Sequence, residues 1–245
     1  MQVYEDMAEC YDLIYSDYMD LEFYLREARN ARGSVLEAGC GTGRILLHLI
    51  QAKIDAVGLD TSKAMLDVLK RKAEKKGLHP SVLLADMADF RIDKRFKLII
   101  IPYRSFLHLK DDRERMKALK NFYSHLAEGG RLIIHTYNLS DEERQMTGGF
   151  HPLDSDEAIS PDGKIHRLNW FLDYRPDEAM GLYKIVIASD DGKTREFVMS
   201  IYFASPKSVQ DMLKASGFKD IKAYCGFDYS AFNSDCREVM LIAYK

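Results

Sequence analysis

Several classes of protein are excluded by what this sequence lacks. No apolar stretch approaches the roughly 20 residues that a membrane-spanning helix needs. The N-terminal segment MQVYEDMAEC is acidic, with no basic stretch leading into an apolar run, so no secretory signal is expected. The four cysteines, Cys10, Cys40, Cys225 and Cys236, show neither C-x-x-C spacing nor a paired framework. They read as reduced thiols in a cytoplasmic protein. The seven histidines are scattered without metal-ligand spacing, so no metal is expected. A net charge of −3 gives no electrostatic footprint for nucleic acid. The basic runs Lys70 to Lys76 and Lys110 to Lys120 are interrupted by acids or apolar positions and read as solvated helix faces. What is present is a globular composition, 47% hydrophobic, over 245 residues. That length is long for one minimal domain and short for two, which suggests one core with an insertion.

The chain is organised around Val35 to Arg44, VLEAGCGTGR. An apolar run ends in the acid Glu37. Gly39, Gly41 and Gly43 then form a loop with little side-chain bulk, and Ile45 to Ile50 continues as a helical apolar run. Strand, glycine loop and helix make a nucleotide-binding turn, because glycines let the backbone approach a ligand and the helix start offers N–H groups. A plain tight turn is the alternative. A dinucleotide fingerprint, G-x-G-x-x-G, needs its third glycine where Arg44 stands.

Downstream, apolar and helical runs alternate. Ile54 to Asp60 is a short strand ending in an acid, roughly twenty residues after the loop begins, the separation at which a carboxylate meets ribose hydroxyls. Thr61 and Ser62 are available to cap the helix Ser62 to Lys75, which leaves Asp60 free for that role. Ser81 to Leu84 and Phe96 to Ile101 follow as strands, the second buried on both faces. Asp111 to Ala127 reads as an amphipathic helix stopped by Gly129 and Gly130, and Arg131 to Tyr137 as a fifth strand. This alternation predicts an α/β fold with a Rossmann-like doubly wound sheet. Asn138 to Ile165 has no periodicity and reads as a loop or lid. His166 to Tyr174, Tyr183 to Ala188 and Arg195 to Phe203 predict a small inserted antiparallel sheet of three strands. Ser205-Pro206 opens a helix. Phe218 to Cys225 and Glu238 to Tyr244 then read as a closing pair of strands. Before the sheet, Val3, Met7, Tyr11, Ile14 and Tyr18 recur at helical spacing.

The loop E-x-G-x-G-x-G, with Asp60 and the segment ADMADF (Ala85 to Phe90), resembles the first motifs of class I S-adenosylmethionine (SAM) methyltransferases of the small-molecule type. The resemblance covers most of the chain and is weakest in the insertion. It implies that Glu37 faces the methionine amino group, that Asp86 accepts from the adenine amino group, and that Met87 packs on the ring. An ordinary polar loop is the other reading of ADMADF. The segment YDLIY resembles one whose aromatic residue closes the cofactor pocket, although Tyr11 reads equally as a core aromatic. The implied SAM-binding set is Tyr11, Glu37, Gly39, Cys40, Gly41, Gly43, Asp60, Thr61, Met65, Asp86, Met87 and Pro102. The implied domains are a helical lid over 1–30, a SAM-binding core over 31–137 and 204–245, and an inserted lid and sheet over 138–203.

At the carboxyl edge of the sheet, where ligands bind in such folds, Pro102 to Leu109 places Tyr103, Arg104, Phe106 and His108 near the methyl group or the acceptor. The doubled proline and the Asp or Asn of DNA amino-methyltransferases are missing there, which argues against base methylation. The expected activity is methyl transfer to a nitrogen or oxygen of a small molecule. His108 would be the base for a hydroxyl acceptor, and Tyr11 a catalytic aromatic facing the sulfonium. No nucleic-acid or membrane partner is expected, and a homodimer is compatible with the sequence. An NAD(P)-dependent oxidoreductase and a non-catalytic SAM-binding partner protein stand as alternatives, the first opposed by Arg44.

Overall fold

The computed structural model describes residues 2–245. The apolar runs on either side of the glycine loop become parallel strands β1 (Val35–Ala38), β2 (Ala56–Asp60), β3 (Ser81–Leu84), β4 (Phe96–Ile101) and β5 (Leu126–Tyr137). An insertion then adds β6 (His151–Ile159), β7 (Ile165–Arg175), β8 (Met180–Ser189) and β9 (Thr194–Tyr202) as a separate antiparallel sheet. The chain closes with β10 (Lys219–Cys225), the two-residue β11 (Ser230–Ala231) and β12 (Glu238–Tyr244). The main sheet runs β3-β2-β1-β4-β5-β12-β10-β11, with β12 antiparallel to both neighbours.

Helices cover both faces of this sheet because its central strands carry buried apolar side chains on both sides. Val35, Leu98, Ile100 and Ile133 face α3 (Leu21–Ala31), α4 (Leu46–Gln51) and α5 (Lys63–Lys75), where they meet Tyr24, Leu46 and Leu69. Leu36, Ile99, Ile101 and Ile134 face α6 (Asp112–His125) and α8 (Pro206–Ala215), packing on Leu119, Phe122 and Leu213. Side chains on a strand alternate between faces, so each run supplies both layers. Asp111 and Ser205 cap α6 and α8 with their side chains, which accept from the N–H groups of Glu114 and Ser208. Among the described residues, no helix is long and apolar enough to cross a membrane.

The structure corrects four expectations. Helix α6 stops at His125, and β5 begins at Leu126 rather than Arg131. Gly129, at φ +66°, bends the chain while pairing with β4 resumes through a register shift. The segment read as unstructured, 138–165, contains α7 (Asp141–Gln145) and β6. Ser140 and Glu143 form a capping box at the start of α7. Strand β6 lies at an edge with most side chains exposed, so it carries no apolar alternation, and the inserted sheet has four strands instead of three. Finally, Cys225 and Cys236 are joined as a disulfide, with Cα atoms 5.3 Å apart, because the closing antiparallel strands bring them side by side; Cys10 and Cys40 are free and buried.

The N-terminal residues pass over the carboxyl edge of the sheet as α1 (Gln2–Met7) and α2 (Tyr11–Ile14). Met7, Ile14 and Tyr15 share one apolar cluster with Leu168, Leu172, Met199 and Ile201 of the inserted sheet. The start of α3 is fixed by a buried ion pair. The Arg44 guanidinium meets both oxygens of Asp20, at 2.5 and 2.6 Å, and donates to the Asp17 carbonyl. The two side chains are 7% and 4% exposed. Removing one partner of such a pair strands the other charge in the interior, which costs about 3–5 kcal/mol. Asp20→Ala is therefore expected to lower the urea unfolding free energy by about that amount. A joint Asp20→Leu/Arg44→Met replacement should recover most of the loss. An Asp20→Ala protein as stable as the parent would show that the pair has no structural role.

Candidate active site

In a doubly wound sheet, the loops diverge where the strand order reverses, and a crevice opens at the carboxyl ends of the strands. Here the reversal lies between β1 and β4. The crevice continues as one cavity of about 950 Å³, from the glycine loop to the inserted sheet. Gly41, at φ +50°, borders it. A Cβ at Gly41 would meet nothing nearer than Cε1 of Tyr11, 4.0 Å away, so only open cavity lies beside it. Gly43 serves a different need. A Cβ there would sit 2.8 Å from Leu69 and 2.9 Å from Leu47, so this glycine lets the loop pack tightly beneath α5.

Asp60 ties the ends of β1 and β2 together. Its oxygens accept from the Gly41 N–H at 2.8 Å and the Ser62 N–H at 2.9 Å. Ser62 is the cap of α5, accepting from Met65 N–H. Burial raises the Asp60 carboxyl above its usual range, against the pull of these backbone donors. Each carboxylate oxygen has a second lone pair left for a ligand hydroxyl. Asp86, after β3, accepts from Ala88 N–H at 2.7 Å with one oxygen.

Of the residues expected at the site, Tyr11, Gly39, Gly41, Asp60 and Thr61 line the cavity, as do Met65, Asp86, Met87 and His108. Glu37, Cys40, Gly43 and Pro102 do not. Glu37 is sealed behind the glycine loop at 2% exposure, with Oε2 lacking a hydrogen-bond partner. Burial pushes its carboxyl well above the carboxylate range, only partly opposed by the Arg44 charge. Tyr103 and Arg104 line the cavity, whereas Phe106 is fully buried in the core.

Aromatic rings form a seam midway along the cavity. Tyr11 and Tyr15 lie 4.6 Å apart by ring centroid, Tyr15 and Tyr103 5.1 Å, and Tyr15 and Trp170 5.6 Å. Tyr4 joins them beside Tyr11, 6.3 Å away by ring centroid, and meets His108 edge-on. Both ring nitrogens of His108 are engaged, Nε2 with the Tyr4 hydroxyl at 2.7 Å and Nδ1 with the Ser200 carbonyl at 3.2 Å. Burial pushes the imidazole down to about 4, so it is neutral at pH 7. Tyr4 and Tyr15 went unnoticed in the sequence as site residues. The available signal was their helical spacing with Tyr11, which one face of an amphipathic segment also produces.

Beyond the seam, Arg104 and Arg237 flank the Tyr137 ring, at 3.9 and 5.3 Å from its centroid. Each guanidinium has its own carboxylate. Arg104 pairs with Glu238, and Arg237 pairs with Glu143 at 2.6 Å. Burial would raise the Glu238 carboxyl, but the His135 hydrogen bond and the Arg104 charge outweigh it and hold it at about 2. Glu143 also accepts from the Tyr137 hydroxyl at 2.8 Å. Arg237 lies 100 residues from Tyr137 and Arg104 lies 134 from Glu238 in sequence, and no local pattern announces either contact. Tyr202, on β9 of the inserted sheet, lies off the cavity; its carbonyl accepts from Arg115.

Comparison with known proteins agrees with this geometry. Residues 35–130 match a family model described as a methyltransferase domain. The chain is 31% identical over 140 residues to the dTDP-3-amino-3,4,6-trideoxy-alpha-D-glucopyranose N,N-dimethyltransferase of Streptomyces venezuelae. That match covers 54% of this chain and 57% of the relative, so the chain spans little more than half the length of that curated relative. Among solved structures, a SAM-dependent methyltransferase from Clostridium acetobutylicum superposes with a TM-score of 0.80 at 19% identity, covering 98% of both chains. An amino pentose methyltransferase from Micromonospora echinaspora, solved with SAM bound, gives 0.74 at 18% identity, covering 96% of this chain and 95% of that one. A glycine loop at the switch point of this sheet, a match to a methyltransferase domain over that loop and a fold shared along nearly the whole length converge: residues 35–130 resemble a methyltransferase domain, and the chain has the fold of the solved SAM-dependent methyltransferases on which it superposes.

Proposed function

We propose that the chain transfers the methyl group of SAM to a nitrogen of a small-molecule acceptor. The single cavity joining the glycine loop to the inserted sheet carries this reading. Its loop end suits SAM. Gly41 leaves the room that a side chain would fill, and Asp60 and Asp86 keep lone pairs for ribose hydroxyls and an adenine amino group. Tyr11, Thr61, Met65 and Met87 would complete the contact. Because Glu37, Cys40, Gly43 and Pro102 lie off the cavity, we propose that they shape the loop instead of touching the cofactor. We propose the helical segment 1–30 and the insertion 138–203 as the two covers of a core formed by 31–137 and 204–245.

When bound, SAM supplies a methyl group already activated on a sulfonium. The remaining task for the chain is alignment, which can supply on the order of 7–11 kcal/mol of the barrier. The tyrosines of the seam present electron-rich ring faces to positive charge. A hydroxyl acceptor would need a base, and His108, neutral with both nitrogens engaged, is poorly suited to that task. An amine needs only its neutral form, which favours nitrogen. The dimethyltransferase relative is named for an amino-sugar acceptor.

The cavity lining supports a small molecule over nucleic acid. It contains Arg104 and Arg237 but no lysine, and it is outweighed by carboxylates such as Glu142, Asp154 and Asp156. One chain completes the site, so the reading requires no homodimer. The compartment we propose is the cytoplasm, where Cys225 and Cys236 would be held as thiols.

Two measurements test the assignment. Gly41→Val should abolish SAM binding in calorimetry while the fold persists, and Asp60→Asn should weaken it roughly tenfold or more, since hydrogen bonds to charged groups contribute about 1.5–3 kcal/mol. Unchanged affinity in a folded Gly41→Val protein would remove the cofactor assignment. For the acceptor half, purified protein is incubated with SAM and a panel of amines and hydroxyl compounds, and S-adenosylhomocysteine is quantified. Trp170→Ala should raise the Michaelis constant of the acceptor so identified and leave SAM affinity unchanged, because Trp170 lines the cavity from the inserted sheet.

A further inference from the structure

Four elements converge on one polar point inside the apolar seam. Tyr4 comes from α1, His108 from the turn after β4, Met199 and Ser200 from β9, and Tyr15 from the end of α2. The Ser200 carbonyl oxygen can only accept, so the His108 nitrogen facing it, Nδ1, carries the ring proton. Nε2 is then the acceptor, and at 2.7 Å it takes the hydroxyl proton of Tyr4. The competing acceptor, the Met199 sulfur, lies 3.7 Å from both the Tyr4 and Tyr15 hydroxyls. A phenol whose proton is committed in this way can turn its remaining lone pairs only towards an incoming donor. Tyr4 borders the cavity between the Asp60 end and the inserted sheet, where such a donor would arrive.

We propose that the Tyr4 oxygen accepts a hydrogen bond from the N–H of the acceptor amine, and that His108, fixed as its Nδ1–H tautomer, is the positioning residue that orients it. This rests on the methyl-transfer reading above. In the reaction, the nitrogen lone pair forms the N–C bond while the C–S bond breaks and its electron pair stays on sulfur as a thioether. The nitrogen becomes cationic, and its N–H becomes a stronger donor as the charge develops. The bond to Tyr4 therefore tightens towards the transition state, which is the kind of interaction that raises kcat. The proton stays on the product ammonium until it leaves to solvent, and Tyr4 keeps its own. Burial, reinforced by the nearby Asp60, holds the phenol well above its ordinary titration range and so keeps it protonated.

The arrangement also links the covers to the chemistry. Glu5, the neighbour of Tyr4, accepts from the N–H groups of Lys63 and Ala64 at the start of α5. Seating α1 on α5 thus brings Tyr4 to His108, so the amine-facing group is delivered only when the N-terminal segment is in place.

The test combines kinetics on the best amine of the panel with nitrogen NMR of the ring-labelled histidines in the full chain. Tyr4→Phe and His108→Leu should each lower kcat roughly tenfold to a hundredfold, the loss of one hydrogen bond to a charged group, with SAM affinity by calorimetry unchanged. The double variant should be no slower than the worse single one. His108→Gln, whose amide oxygen can replace Nε2 as acceptor, should restore most of the rate. In the spectra, His108 should be protonated at Nδ1, and Tyr4→Phe should shift its Nε2 resonance. Parental kcat in Tyr4→Phe, or protonation at Nε2, would overturn the proposal. So would a His108→Gln protein as slow as His108→Leu, which would make the imidazole itself the base. Parent protein that binds SAM but methylates nothing in the panel would count against the transfer reading, and the nitrogen spectra would still decide the tautomer and the Tyr4 bond.

Discussion

The buried pair of Arg44 with Asp20 is the constraint on which the site depends. Arg44 leaves the glycine loop, and Asp20 stands at the start of α3, so their bond ties the N-terminal segment to the loop it covers. The Arg44 donation to the Asp17 carbonyl adds a second attachment at the last residue of the stretch 14–17 that lines the cavity. The Arg44 guanidinium also lies over the Tyr103 ring, 4.9 Å from its centroid. Two buried charges are costly to desolvate, and a pair of this kind is retained more readily for the geometry it fixes than for net stability. Here the geometry is the roof of a ligand cavity. The position that a dinucleotide fold gives to a glycine is used instead to anchor the N-terminal segment.

A second constraint is apolar. The N-terminal segment and the inserted sheet do not rest on the core separately; they share one cluster, in which Met7, Ile14 and Tyr15 meet Leu172, Met199 and Ile201. Whatever moves one cover must disturb the other. Closing such a site excludes water from the reacting centre, and the tyrosine seam lies where the two covers join. Polar groups inside this cluster are few, and their partners are set by three-dimensional approach, as the Tyr4, His108 and Ser200 chain illustrates. Methyl transfer from a sulfonium asks little of a protein in proton chemistry. It asks for alignment and a dry, shaped space, which is what the proposed reaction would require of this cavity.

Some of this was legible in the order of residues alone. The apolar run, the three glycines and the acid at Asp60 follow from short-range rules: strands need alternation, tight backbone turns need glycine, and a helix needs a cap such as Ser62. These are local constraints, so Val35 to Asp60 could be read almost residue by residue, and the alternation of runs gave the doubly wound sheet. The same rules missed β6, an edge strand with little buried face, and misplaced the start of β5, where Gly129 turns the chain without ending its pairing. They placed Glu37 at the end of β1 but said nothing about its burial behind the glycine loop, with Oε2 lacking a hydrogen-bond partner.

By itself, then, the sequence determined the order of strands and helices, the glycine turn and the carboxylates at the strand ends, since each depends on a few neighbouring residues. The tertiary structure alone decided what meets across the cavity. Tyr4 reaches His108 across 104 positions, Arg104 reaches Glu238 across 134, and Cys225 lies against Cys236 only because β10 and β12 pair. Such contacts depend on how separate elements pack, and a hydrogen bond is specified by the angstroms between two atoms, a distance that no local spacing encodes.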